Sequence, residues 1–305
     1  VCLIAFAISA SARWPLVIAA NRDEFLNRPT LPLGRWQSAS GQHIISGRDL
    51  RAGGTWLGMT PGGRVAFLTN VREANPQAAP RSRGQLVTRW LEADGDAASF
   101  VAALEADGAA YGGFNLVLGD FQRHAWSWVT NRFAGQPAAA PTLHSQPLAA
   151  GVYGLSNAAL NTPWPKTAAL KDVLAHALAS SPNGPGPEPD ALQAPLWAAL
   201  ASRERAARRQ LPATGVPLAL EEALSSAFVD VPEYAYGTRS STVLLASPQG
   251  AGHPRCWEVR VEERTHGQAQ TQQEASATPD PDLGRPQVNC QRFFWQEVAE
   301  KAPAL

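Results

Sequence analysis

Cys2-Leu3-Ile4-Ala5-Phe6-Ala7-Ile8 is followed, after the mostly small and polar residues 9–15, by Leu16-Val17-Ile18-Ala19-Ala20 and then by Asn21-Arg22-Asp23-Glu24. Both apolar runs are short and partly β-branched, as buried strands should be, and the break between them ends in a proline. Together they read as an antiparallel hairpin. With its turn centred near Ala12, the residue opposite Cys2 falls close to Arg22. The pairing therefore brings a thiol up to an amide, a guanidinium and two carboxylates. A guanidinium beside a thiol favours the thiolate by charge attraction. A neighbouring carboxylate can hold an amine or fix the arginine as a bidentate pair.

Cys2 stands one residue in from the first letter, Val1. Reading Val1 as a start residue, the expected processing is its removal, which would leave a thiol and a free α-amine on one residue. A free thiol has a pKa near ~8.5 and is only a few per cent ionised at neutral pH. An α-amine titrates at about 7.7–8.0 and is suited to take the thiol's proton. That is the chemistry of an N-terminal nucleophile. Two plainer readings stand beside it: a cysteine that merely opens a buried strand, and a polar cluster that marks that hairpin's solvated end.

Asn21-Arg22-Asp23-Glu24, with Phe25 and Arg28-Pro29 behind it, resembles the motif that names the NRDE family, which includes the transport and Golgi organisation protein 2 relatives. Further blocks resemble the family in the family's order: Gly53-Gly54-Thr55-Trp56-Leu57-Gly58, Thr69-Asn70-Val71-Arg72, Gly113-Phe114-Asn115-Leu116, Gly154-Leu155-Ser156-Asn157, Thr162-Pro163-Trp164-Pro165-Lys166 and Tyr236-Gly237-Thr238-Arg239-Ser240-Ser241. They span most of the chain. The family is in turn similar to N-terminal nucleophile hydrolases of the penicillin V acylase, bile salt hydrolase and acid ceramidase type, which cleave amides with an N-terminal cysteine. Family members have been linked to secretory organisation, lipid metabolism and haem handling. The resemblance implies an α+β fold, an αββα sandwich with two stacked antiparallel sheets, as one domain over residues 1–305.

Composition bounds the rest. The chain has 305 residues, 45% of them apolar, enough for a large core. Its 26 basic and 26 acidic residues cancel, so no polyanionic partner is implied, and basic and aromatic residues do not interleave as nucleic-acid binding would require. Nearly all the cations are arginine, which together with abundant Ala, Pro and Gly reads as coding bias. Three widely spaced cysteines make neither a disulfide framework nor a zinc motif. The opening apolar stretch, ending Ala10-Ser11-Ala12, lacks a basic flank and is short for a secretory signal. No apolar run approaches the ~20 residues that span a bilayer. The expected location is cytoplasmic, with no integral membrane segment.

Strands are predicted over residues 2–8, 16–20, 65–69, 115–119, 125–129, 242–246 and 256–262. Helices are predicted from 82 or 84 to 92, over 97–106 capped by Asp96, from the prolines at 163 and 165 through Leu178, and over 190–209 and 217–228. Residues 180–189, rich in Pro, Gly and Ser, read as a loop; 266–283, polar and poor in core formers, read as mobile. The Phe293-Phe294-Trp295 cluster is expected to dock back on the body.

The resemblance also assigns jobs. Cys2 attacks, Arg22 and Asp23 tune and position it, and Asn70 with Asn157 match the oxyanion and substrate-orienting asparagines. A tetrahedral oxyanion needs such preorganised donors. Arg239 matches a second arginine that would clamp Asp23 or the thiolate. Asn21 and Asn115 are candidates for holding substrate. Each asparagine has a bland alternative, closing a turn through its own side chain, and Arg239 has one too, satisfying loop carbonyls after Gly237. Gly53-Gly54 suits close backbone approach or positive φ, with Trp56 covering a pocket wall.

Motifs for other chemistries are missing: there is no GxSxG, phosphate loop, GxGxxG or HExxH, and the six histidines have no ligand spacing. Two functions from different classes follow. One is an N-terminal cysteine hydrolase or acyltransferase acting on a small-molecule amide or acyl substrate, without cofactor. The other is a non-catalytic carrier or chaperone for haem or an acyl-coenzyme A on the same scaffold.

Overall fold

The first strand pairs antiparallel with the second, and the register sets Cys2 directly opposite Arg22 and Ile8 opposite Leu16. The computed structural model describes residues 2–76, 78–132, 143–180, 189–250, 255–266 and 286–297. The strands are β1 (Cys2–Ile8), β2 (Leu16–Phe25), β3 (Thr30–Gln37), β4 (His43–Asp49), β5 (Leu57–Met59), β6 (Arg64–Asn70), β7 (Phe114–Asp120), β8 (Ala125–Thr130), β9 (His144–Pro147), β10 (Gly151–Leu155), β11 (Asp230–Val231), β12 (Tyr236–Gln249), β13 (Cys256–Thr265) and β14 (Gln287–Gln296). The helices are α1 (Gly84–Glu92), α2 (Ala97–Glu105), α3 (Pro165–Ala179), α4 (Pro189–Leu200) and α5 (Leu218–Ala223).

These strands form two antiparallel sheets. One runs β10-β1-β2-β12-β13-β14, with β11 added on β12; the other is the meander β3 to β9 in chain order. β1 is buried at every position because both of its faces are covered. Ile4, Phe6 and Ile8 meet Phe67, Met59 and Trp128 of the second sheet, while Leu3, Ala5 and Ala7 meet Leu170, Leu174 and Leu196 of α3 and α4. The second sheet is capped likewise: Ala66, Leu116 and Leu118 pack under Leu86, Trp90 and Phe100 of α1 and α2. The result is the expected four-layer αββα sandwich. A strand covered on both faces loses the polar alternation of a half-exposed one, which is why β1 reads as an unbroken apolar run.

Asp96 caps α2 as predicted, accepting from the Ser99 amide at 2.8 Å. Pro165 opens α3. The helix predicted over 190–209 ends at Leu200, because beyond it no large apolar residue falls on the core-facing stripe. The chain there bonds sideways instead, Ser202 accepting from the Phe228 amide at 2.8 Å. The helix predicted over 217–228 shortens to α5, beyond which the Ser225 and Ser226 hydroxyls donate to the Glu222 and Phe228 carbonyls, both at 2.7 Å, in place of a further helical turn.

β2 runs five residues further than predicted, so Asn21, Arg22 and Asp23 are buried strand residues rather than a solvated end. The segment around Phe293 and Trp295 docks as expected, as strand β14 with these two rings inward and Phe294 half-exposed. The loop expected at 180–189 and the mobile segment expected at 266–283 fall almost entirely outside the described residues. Among the described residues no helix is long and apolar enough to cross a membrane.

Candidate functional site

Strand ends converge at one edge of the sandwich. β1 begins there with Cys2, β2 ends there with Arg22 to Phe25, and β6 ends there with Asn70. Together with Trp56 and the Arg83 end of α1 they line a cavity of about 510 Å³. Gly53 has φ of +76°, and a Cβ on Gly54 would lie 2.4 Å from the backbone of Gly84. The glycine pair thus lets this loop pack directly on the start of α1, on the cavity wall.

Arg22 is 6% exposed and tightly held. Its guanidinium lies 4.2 Å over the Trp56 ring, 3.6 Å from Asp49 and 3.8 Å from Glu24. Asp49 is itself fixed by Arg28 at 2.5 Å and by the amides of Arg51 and Ala52, both at 2.9 Å. Although burial disfavours its charge, the Arg28 contact and these donors hold its carboxyl below the usual range. Its charge keeps Arg22 in place beneath Trp56.

The thiol departs from the sequence expectation in one respect. Arg22 does pull the Cys2 pKa down, but burial outweighs it and the Asp23 carboxylate adds to the burial, so the thiol is pushed up. Burial thus works against a resting thiolate, and a base beside the thiol would help it become a nucleophile.

Asp23 is 3% exposed and accepts from the Thr238 hydroxyl at 2.7 Å. Burial raises its pKa, and the charge of Lys166 is the largest influence opposing that rise. Lys166, in the first turn of α3, was not singled out from sequence. It is 5% exposed, and among the described residues its ammonium has no hydrogen-bond partner. Burial lowers its pKa to about 8, against the opposing pull of Asp23 and Cys2. The visible signal was a lysine closing a proline-flanked helix start one turn ahead of the apolar stripe Leu170, Leu174 and Leu178.

The asparagines separate. Asn70 lines the cavity. Asn157, 1% exposed, donates its amide to the Asn70 carbonyl at 2.8 Å and to Asn70 Oδ1 at 3.1 Å. Of the two asparagines expected to hold the oxyanion, the structure thus sets Asn157 on Asn70, which it orients with the amide nitrogen of Asn70 left for another acceptor.

Asn21 and Asn115, the residues expected to hold substrate, are not among those lining the cavity. Asn21 donates to the Leu200 and Ala227 carbonyls, both at 2.8 Å, and accepts from Ser241 at 2.6 Å. Asn115 is fully buried, donating to Ala158 and Thr69 and accepting from Trp128. Both tie layers of the fold together, away from the cavity.

Arg239 also takes its bland reading. It is the extra residue of a β-bulge between Thr238 and Ser240, and its side chain lies on the β2–β3 turn. There it donates to the carbonyls of Phe25, Leu26 and Arg28 at 3.0, 2.6 and 3.1 Å. It braces the segment that carries Arg28 instead of clamping Asp23 or the thiolate.

Residues 1–263 match the protein family described as Transport and Golgi organisation 2. The chain is 35% identical over 248 residues to the Transport and Golgi organization protein 2 homolog of Bos taurus, covering 77% of this chain and 83% of that protein. It is 35% identical over 243 residues to the homolog of Homo sapiens, with the same coverage. Among solved structures, the Caenorhabditis elegans N-acylethanolamine-hydrolyzing acid amidase ortholog superposes with a TM-score of 0.43 and 12% identity, over 64% of this chain and 85% of that one.

Proposed function

The chain belongs to the Transport and Golgi organisation 2 family, and from that premise we propose that it is an N-terminal cysteine hydrolase or acyltransferase acting on a non-peptide amide carbon–nitrogen bond. One observation carries the reading. Cys2 opens a central strand, faces Arg22 across the pair, and shares a cavity with the Asn70 amide.

As the N-terminal residue, Cys2 carries its own base. Its sulfur attacks the amide carbonyl carbon while the thiol proton passes to the α-amine. The new carbon–sulfur bond leaves a tetrahedral oxyanion, to which Asn70 donates. Collapse breaks the carbon–nitrogen bond, and the departing nitrogen takes the proton back from the ammonium. Water, deprotonated by the same amine, then attacks the thioester, releasing the acid and restoring the thiol; an amine in place of water gives acyl transfer. Arg22 stabilises negative charge on sulfur, and Asp23 holds the ammonium in line. A buried thiol with a raised pKa suits this scheme, because deprotonation is coupled to attack and no free thiolate need accumulate.

Intact-protein mass spectrometry tests it. The expected result is a mass that begins at Cys2 and gains one adduct on brief exposure to an activated acyl donor, with no adduct in Cys2→Ala. A retained first residue with an unreactive thiol would sink the reading and favour the haem or acyl-coenzyme A carrier.

A further inference from the structure

Four guanidiniums line the cavity, and three are matched by carboxylates of the protein. Arg22 and Arg28 share Asp49 and Glu24, and Arg81 pairs with Asp107. Arg83 is different. Its Nη1 donates to the Gly113 carbonyl at 3.1 Å, and among the described residues no carboxylate lies within ion-pair distance of it. The two lining carboxylates that act on it from further away are already engaged, Glu24 with Arg28 at 3.7 Å and Glu73 with Arg132 at 2.6 Å. A partly buried cation without a counter-ion is costly to keep unless something supplies the charge.

The surroundings favour an anion beside this guanidinium. Arg83 is the capping residue of α1, whose first turn holds no acidic side chain, so the positive end of the helix faces the same space. Arg83 also feels the Cys2 sulfur electrostatically, so the two address one ligand of modest length.

Resting on the amide-cleaving reading above, we infer that Arg83 is a specificity-determining residue that binds a carboxylate on the substrate, and that the substrate class is the N-acyl amino acids. A single unmatched cation suits a single negative charge. A polyphosphate would instead meet Glu24, Asp49 and Glu73 in the same cavity. In an N-acyl amino acid the carboxylate lies two bonds from the scissile nitrogen, within the span that one cavity imposes.

The test compares an N-acylglycine with the corresponding N-acylglycinamide, which share acyl chain and scissile bond. The wild-type protein is expected to prefer the acid in kcat/KM by roughly ten- to a hundredfold, the scale of one charge-assisted hydrogen bond. Arg83→Gln should bring the ratio of the two substrates to near one, and Arg83→Lys should keep part of it. Using a ratio removes any common loss of active protein. A ratio unmoved by Arg83→Gln overturns the inference. If neither compound is cleaved, the hydrolase reading fails, and calorimetric titration of both into Cys2→Ala decides the matter separately. Binding that favours the acid in Cys2→Ala and not in Cys2→Ala/Arg83→Gln supports the carboxylate site; equal or absent binding of the two overturns it.

Discussion

Arg22 faces Cys2 across the β1–β2 pair while its guanidinium is stacked 4.2 Å over Trp56. The stack and the Asp49 contact spare the arginine any choice of rotamer, so its charge acts on the thiol from a constant position. Arg22→Gln removes that attraction, so burial and Asp23 weigh more heavily on the thiol. The expected outcome is an alkaline shift of the pH profile for alkylation of Cys2 by iodoacetamide. A profile that does not move, or moves to lower pH, would show that Arg22 has no hold on the thiol.

Asn70 and Asn157 should separate under mutation. If Asn70 donates to the oxyanion, Asn70→Ala should lower kcat by about 10²–10³ with little change in KM, the usual effect of losing one such donor. Asn157→Ala leaves that donor present but unsupported, so its kcat loss should be smaller. It should also cost about 1–3 kcal/mol of stability, since the Asn70 carbonyl loses its donor. Steady-state kinetics and urea melts on the two variants measure the split; equal kcat losses would restore a direct role to Asn157.

Lys166 makes a prediction about pH. Its pKa is about 8 when folded against 10.5 for an ordinary lysine, so between these values the unfolded chain binds more protons. Stability should therefore rise with pH across this window, by at most about 3 kcal/mol. In a Cys2→Ala background, where the thiol no longer titrates, Lys166→Met should abolish that rise. Urea midpoints from pH 7 to 11 give the slope, and parallel curves for the two proteins would count against a perturbed lysine.

Arg239→Met tests the bracing role. Three carbonyls of the β2–β3 turn lose their shared donor. Stability should fall by about 2–3 kcal/mol, as for a hydrogen bond made by a charged group. The alkylation profile of Cys2 should keep its wild-type shape, because Arg239 is not among the charges that set the thiol. A shifted profile with unchanged stability would return Arg239 to the site.

The hairpin and its register were legible in the letters, because two apolar runs around a short break leave few ways to pair. From them followed the meeting of Cys2 with Arg22, and the family blocks extended the reading to the four layers. β3 was not legible: Pro32 and Gly34 interrupt it, and it lies at a sheet edge with a register shift between Leu31 and Gly34. β10 was missed also, yet by pairing with β1 it brings Ser156 to donate to the Cys2 carbonyl at 2.9 Å. Local pattern identifies which residues carry chemistry; it does not say where their hydrogen bonds go.

Sequence by itself determined the hairpin, the facing pair at its open end, and the chemical kinds present: a thiol, an arginine, a carboxylate and several amides. Tertiary structure alone decided which of them face the cavity. Asn21, Asn115 and Asn157 lie in motifs as suggestive as that of Asn70, but buried amides must be satisfied, and theirs are satisfied by partners distant in sequence. Arg83 and Lys166 stood out little as letters. Their significance comes from burial without a matching hydrogen-bonded charge, a property of the packed surroundings and not of any local pattern.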